Sequence, residues 1–233
     1  MRVDTELNIE RIRHSSETML SLYSPDTAVL PVPSCPAWTL RDLVLHLADV
    51  HHFWALTILE ADPSKTLDFE AAYTEGDDII AWARSCTDEL VAALRAKPYD
   101  SPCQVWWAEP AIAGAVGEHQ VYEAALHCWD AQGAVMTSPA LDRDICLAGI
   151  PEWIAVRVPW MADIDLPLIT FEATDAPGSW NLGGALNSSV TVRGTASDLY
   201  LYLNGRLEVS VLSLLGDVDS LEHLTARMEY LNG

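Results

Sequence analysis

Near Pro167 the apolar pattern changes its period, and that change restricts the folds open to this chain. Before it, apolar residues recur three and four positions apart, the spacing of helices with one buried face. After it, Leu168-Ile-Thr-Phe-Glu-Ala-Thr174 and Ser189-Val-Thr-Val-Arg193 carry the alternation of half-buried strands. The chain is therefore expected to be α+β overall, with a helical bundle over 1–165 and a small α+β domain over 166–233. Its 233 residues, half of them hydrophobic, suffice to bury a core in the larger part. The smaller part is marginal alone by surface-to-volume scaling and is expected to lean on the first.

Five helices are predicted in the first part. One covers 5–23 through Leu7, Ile9, Ile12, Met19 and Leu20. The stretch Ser24–Pro36 holds four prolines and cannot be helical throughout. Thr39-Leu-Arg-Asp42 has the spacing of a capping box, so a second helix is expected from there to about Glu60. Further helices are expected over 76–96, from Pro110 to about Ala134, and over 142–163, where Pro151 and Pro159 should kink or divide the last. In the second part, short helices are expected at 196–205 and 217–231, with a turn at Ala176-Pro-Gly-Ser179.

The formal net charge of −21 is spread along the chain. It would repel a phosphate backbone, so no nucleic-acid partner is expected. Charges begin at Arg2 and Asp4, with no apolar segment of secretory type and no run long enough for a membrane span. Five cysteines, none in a CxxC pair, do not form a disulfide framework. A cytoplasmic location, no membrane association, and either a monomer or a homodimer fit these features.

The run Glu118-His-Gln-Val-Tyr-Glu-Ala-Ala-Leu-His-Cys-Trp-Asp130 is the most informative for chemistry. At about 100° per residue, Glu123 and His127 lie roughly 40° apart, with Asp130 within about 60° of both. A carboxylate and an imidazole on successive turns can ligate one metal if another helix supplies a third ligand. They can equally be a solvated or capping pair. His46 lies on an otherwise apolar face with Leu43, Val50 and Phe53, where an imidazole needs a partner. His51 and His52 point away from His46 on the wheel and read as non-ligands. His119, one turn before Glu123, could reach a pocket as acid or base. Arg84 could hold a substrate carboxylate. Trp54, Trp106, Trp107 and Trp129 are many aromatics for one bundle, and one or two could wall a pocket for a cofactor or a small-molecule substrate. Cys35, between Ser34 and Pro36 at the entry of the second helix, could serve as a nucleophile or pack in the loop.

The segment Val32-Pro-Ser-Cys-Pro-Ala-Trp-Thr-Leu-Arg-Asp-Leu-Val-Leu-His46-Leu resembles a signature of the mycothiol-dependent maleylpyruvate isomerase family, one of the DinB-like metal-binding four-helix bundles. Tyr122-Glu-Ala-Ala-Leu-His-Cys-Trp-Asp-Ala131 is similar to its second signature. Ala173-Thr-Asp175, Trp180, Val192-Arg-Gly-Thr-Ala-Ser-Asp-Leu199, Leu203-Asn-Gly-Arg206 and Gly216-Asp217 resemble the family's sterol-carrier-like accessory domain. The resemblance implies an antiparallel four-helix bundle holding a divalent metal, zinc above all, through His46, Glu123 and His127. Two His and one Glu leave zinc an open position, as in catalytic sites. Asp130 would then orient a ligand imidazole or a bound water. The resemblance also implies mycothiol as a thiol cosubstrate, and a cis–trans isomerase or S-transferase acting on a small electrophile. A thiol-independent metal hydrolase or lyase, and a non-catalytic metal- or ligand-binding module, are the alternatives.

Overall fold

The computed structural model describes residues 5–69, 72–161, 165–222 and 224–225. They form two compact units, Met1–Pro139 and Ala140–Gly233. The architecture is α+β, as the two textures require.

The first unit is built on four helices: α1 (Thr5–Ser21), α2 (Leu40–Glu60), α3 (Ile79–Ala96) and α4 (Ala113–Val135). A short hairpin precedes α2, with β1 (Pro31–Val32) antiparallel to β2 (Cys35–Thr39). Helix α1 packs on α3 and α4, and α2 packs on the same two, so α1 and α2 face each other diagonally. Ion pairs Glu6–Arg95, Arg13–Asp88 and Glu17–Arg84 run in opposite senses along α1 and α3, which are therefore antiparallel. Helices α2 and α4 are antiparallel too, since His46 meets His127 while Trp54 meets His119. Helices α2 and α3 run parallel: Leu43 and Val44 share a core cluster with Ile79 and Ala83, and His51 meets Thr87 farther along. The connection over residues 61–78 between the two helices is long enough to allow it.

Local chemistry sets these helix starts. Thr39 Oγ1 accepts from the Asp42 amide at 3.3 Å, and Asp42 Oδ2 accepts from the Thr39 amide at 2.9 Å. The capping box predicted from spacing is present. Asp78 caps α3 through the amides of Ile80 and Ala81. Helix α4 lies close to its neighbours because it presents small residues. A Cβ on Gly117 would come within 3.1 Å of Leu94. No helix among the described residues is long and apolar enough to cross a membrane.

The second unit holds α5 (Arg143–Arg157), α6 (Ala196–Leu203) and a four-stranded sheet ordered β4-β3-β5-β6. The strands are β3 (Leu168–Ala173), β4 (Ser179–Gly183), β5 (Ser189–Gly194) and β6 (Ser213–Gly216). β3 and β5 are parallel and the outer pairings antiparallel. Ile169, Phe171, Val190 and Val192 are buried, and α6 packs on β3 and β5. The division between the units falls at 139/140, whereas sequence texture places it at 165/166. Helix α5 is the reason: it packs on α6 and β4 of the second unit. Gly149 allows the close approach, since a Cβ there would stand 2.8 Å from the Tyr200 ring. Pro151 lies inside α5 without dividing it, and Pro159 falls in the 3₁₀ turn Val158–Met161 that ends it. Strands β4 and β6 are additions to the sequence reading. Of the helix expected at 217–231, the described part begins with a 3₁₀ turn, Val218–Leu221, and most of the rest lies outside the described residues.

Candidate metal centre

Helix α4 turns Glu123, His127 and Asp130 inward, and antiparallel α2 brings His46 to the same level. One ligand atom from each of His46, Glu123 and His127 lies within 4.8 Å of the others. His127 Nε2 and Glu123 Oε2 are 3.4 Å apart. A tetrahedral ion with bonds of about 2.1 Å spaces its ligand atoms about 3.4 Å apart, so this one pair already stands at a ligand spacing, and two imidazoles with a carboxylate are donors that divalent metals take. The rings of His46 and His127 meet edge to face at 5.0 Å.

Asp130 is fully buried. Its Oδ2 stands 3.0 Å from His127 Nδ1, and its Oδ1 accepts from Ser34 Oγ at 2.5 Å. Committing Nδ1 to a carboxylate leaves Nε2, on the Glu123 side, as the nitrogen for a metal. His119 Nε2 lies 3.6 Å from Glu123 Oε1. Each carboxylate oxygen of Glu123 therefore faces one imidazole.

The charges follow from this packing. Burial acts to raise Glu123, but the His127 hydrogen bond and the nearby His119, His127 and His46 outweigh it, so the carboxyl is held well below its usual range. Burial acts to lower His127, but hydrogen bonds to Asp130 and Glu123 outweigh it, and its pKa is raised. Both directions favour the charged forms, with His127 set between the carboxylates of Glu123 and Asp130. A cation arriving at Nε2 would replace the proton there.

Two residues that the sequence reading did not single out support the centre. Ser34 and Trp38 belong to the hairpin that the capping box anchors to α2. Ser34 holds Asp130, and the Trp38 ring lies 4.7 Å from His46 and 6.4 Å from His127. One hairpin thus touches both imidazole arms. Both residues lie within the first family-like segment, but their contacts are long-range and leave no periodic trace.

The other candidates are placed as follows. Trp54 is buried on α2 and stands 6.1 Å from His119 and 5.4 Å from Trp107, ring to ring. Arg84 is on the exposed face of α3, engaged through Nε and a terminal nitrogen with Glu17. His51 is buried, with Nδ1 3.1 Å from Thr87 Oγ1, and His52 pairs with Glu89 at 2.7 Å. Trp129 donates to the Pro139 carbonyl. Cys35 is half-buried in β2.

The family model for the mycothiol maleylpyruvate isomerase N-terminal domain matches residues 10–132, a span that contains all three candidate ligands. Two similar solved structures are crystal structures of the mycothiol-dependent maleylpyruvate isomerase and of a mutant of it. They are 16% and 15% identical to this chain, each with a TM-score of 0.66, covering 94% of this chain and 96% of theirs. No curated protein matches the sequence.

Proposed function

The chain belongs to the mycothiol maleylpyruvate isomerase N-terminal domain family, and on that premise we propose that it is a zinc- and mycothiol-dependent cis–trans isomerase or S-transferase acting on a small electrophile. The observation that carries this reading is the meeting of His46, Glu123 and His127 within 4.8 Å, in a set that leaves a fourth position open.

His46 Nε2 or Nδ1, a Glu123 oxygen and His127 Nε2 would hold the ion. A metal held there, with mycothiol bound, would supply a thiolate at neutral pH as the nucleophile for an activated double bond. Asp130 keeps the His127 proton on Nδ1, and Ser34 fixes the Asp130 rotamer through its other oxygen. His119, 3.6 Å from the remaining oxygen of Glu123 and with a side chain 14% accessible, would exchange a proton with a bound ligand. Trp38 lies against the two imidazoles, its ring 4.7 Å from His46 and 6.4 Å from His127. Arg84, committed to Glu17 on the surface, has no part in this scheme.

The test is metal content followed by turnover, with and without mycothiol, for the loaded protein and its Glu123→Ala variant. Zinc near one equivalent and turnover lost without thiol or in the variant are expected. Full-rate turnover without thiol would remove the thiol from the scheme. Undiminished activity in metal-free Glu123→Ala would remove the catalytic metal.

A further inference from the structure

The segment between α3 and α4 places two consecutive tryptophans beside the candidate centre. Trp106 and Trp107 meet edge to face at 4.6 Å. Trp54 from α2 lies 6.3 Å from the first and 5.4 Å from the second. His119 from α4 stacks on Trp107 at 4.6 Å with its ring inclined 40°. These are attractive quadrupolar geometries, so the rings hold one another in place.

This aromatic group is not simply core. Trp54 is buried, but Trp106 keeps 50% of its surface exposed, although it lies on an irregular segment where a polar residue would cost nothing. Through His119, the group is continuous with the candidate centre at Glu123. On the side of the two ligand histidines stands another indole, Trp38. Aromatic rings thus flank the three ligand candidates on two sides, Trp38 beside the imidazoles and the tryptophan group beyond His119, while Asp130 and Ser34 supply the polar contacts. Arg13, Arg41, Arg84 and Arg95 in this unit are each engaged with a carboxylate at the surface: Asp88, Glu75, Glu17 and Glu6. The whole chain carries a net charge of −21, a field that slows the approach of anions.

We propose that Trp54, Trp106, Trp107 and His119 form the electrophile subsite, and that it selects a flat, uncharged, conjugated or aromatic ligand over a small dianionic acid. A planar π-system can lie against the exposed Trp106 face while its reactive end points toward Glu123 and the ion. A dianion gains nothing from indole faces and loses its hydration there. The proposal uses the site named under Proposed function, but it concerns binding and can be read without turnover.

The probes are benzylideneacetone, an uncharged aromatic enone, and fumarate, a small dianion. Each is titrated by calorimetry into the full-length, zinc-loaded protein without thiol, with tryptophan emission followed in parallel. Benzylideneacetone is expected to bind at least tenfold more tightly than fumarate and to quench emission. Trp106→Ala, a change at a half-exposed position, is expected to weaken enone binding about threefold to tenfold, with zinc content unchanged. Trp160→Ala, which removes another exposed indole in the second unit, serves as the control and should leave binding as it was. Equal or tighter binding of fumarate would overturn the proposal, and so would an unchanged enone affinity in Trp106→Ala. Enone binding that depends on Trp106, in a protein that shows no mycothiol-dependent turnover, would overturn the proposed function and leave this subsite standing. Mycothiol-dependent turnover that prefers the dianion would do the reverse.

Discussion

Replacing Asp130 by Asn removes one buried charge and almost no volume, and it separates two roles of that side chain. Asn keeps an oxygen for His127 Nδ1 and an amide that Ser34 Oγ can accept from, so the rotamers of the site survive. What is lost is the full negative charge 3.0 Å from Nδ1, which makes Nε2 a better donor to a metal. Partners of this kind are worth about 10–100-fold in metal affinity, or about 1.4–2.7 kcal/mol. Asp130 is fully buried and its charge is unscreened by solvent, so the upper half of that range is expected. The assay is competition for zinc against a chromogenic chelator at fixed pH, with the cobalt absorption spectrum reporting the coordination geometry. Ser34→Ala is expected to lower affinity less, and to have little effect when added to Asp130→Asn, because it acts through the lost charge. Wild-type zinc affinity in Asp130→Asn, with a wild-type cobalt spectrum, would refute the assignment of Asp130 as the orienting partner.

His127→Ala is expected to abolish most zinc binding, measured as bound metal after gel filtration, since one of the three proposed ligands is lost. His51 predicts an acid sensitivity: burial is the main cause that pushes its pKa down to about 3 from 6.5, so the unfolded chain takes up its proton first. Its contribution is flat above pH 6.5, and stability then falls by about 1.4 kcal/mol per pH unit down to about pH 3. His51→Leu should flatten that part of the profile, read as urea midpoints at pH 7, 5.5 and 4.5; parallel profiles for the two proteins would contradict it. Thr39→Ala is expected to cost about 1 kcal/mol through the lost cap, measured by urea unfolding.

Features written in local sequence were legible, and those made by distant partners were not. The capping box of Thr39 and Asp42 is a contact across three residues, and its spacing announces it. That Glu123, His127 and Asp130 share one face follows from helical geometry alone, but that this face turns inward does not. Ser34 could not be read in that way, because the carboxylate it binds lies 96 residues away. Trp38 follows the proline-rich stretch, and nothing in its local sequence announces that its ring lies 4.7 Å from that of His46. Strands β4 and β6 are short and carry glycine and serine, so their alternation is too brief to stand out from the adjoining turns. Helix α5 has an apolar face like those of the bundle helices, and periodicity does not say which core that face joins. Its partner, α6, is known only once the chain is folded.

The parallel run of α2 beside α3 bears on the order of folding events. Two helices joined by a tight link fold back on each other as an antiparallel hairpin and can form early, as a local unit. Here α1 faces α2 only diagonally, and α2 reaches α3 only across the long connection over residues 61–78. The antiparallel partner of α2 is α4, which no short link connects to it. His46 therefore meets Glu123 and His127 only when the long-range assembly is complete. A partly assembled chain would carry Glu123 and His127 as a bare pair on one helix and His46 adrift on another. Capture of a metal ion by all three would then date the end of assembly, a kinetic marker built into the arrangement of the helices.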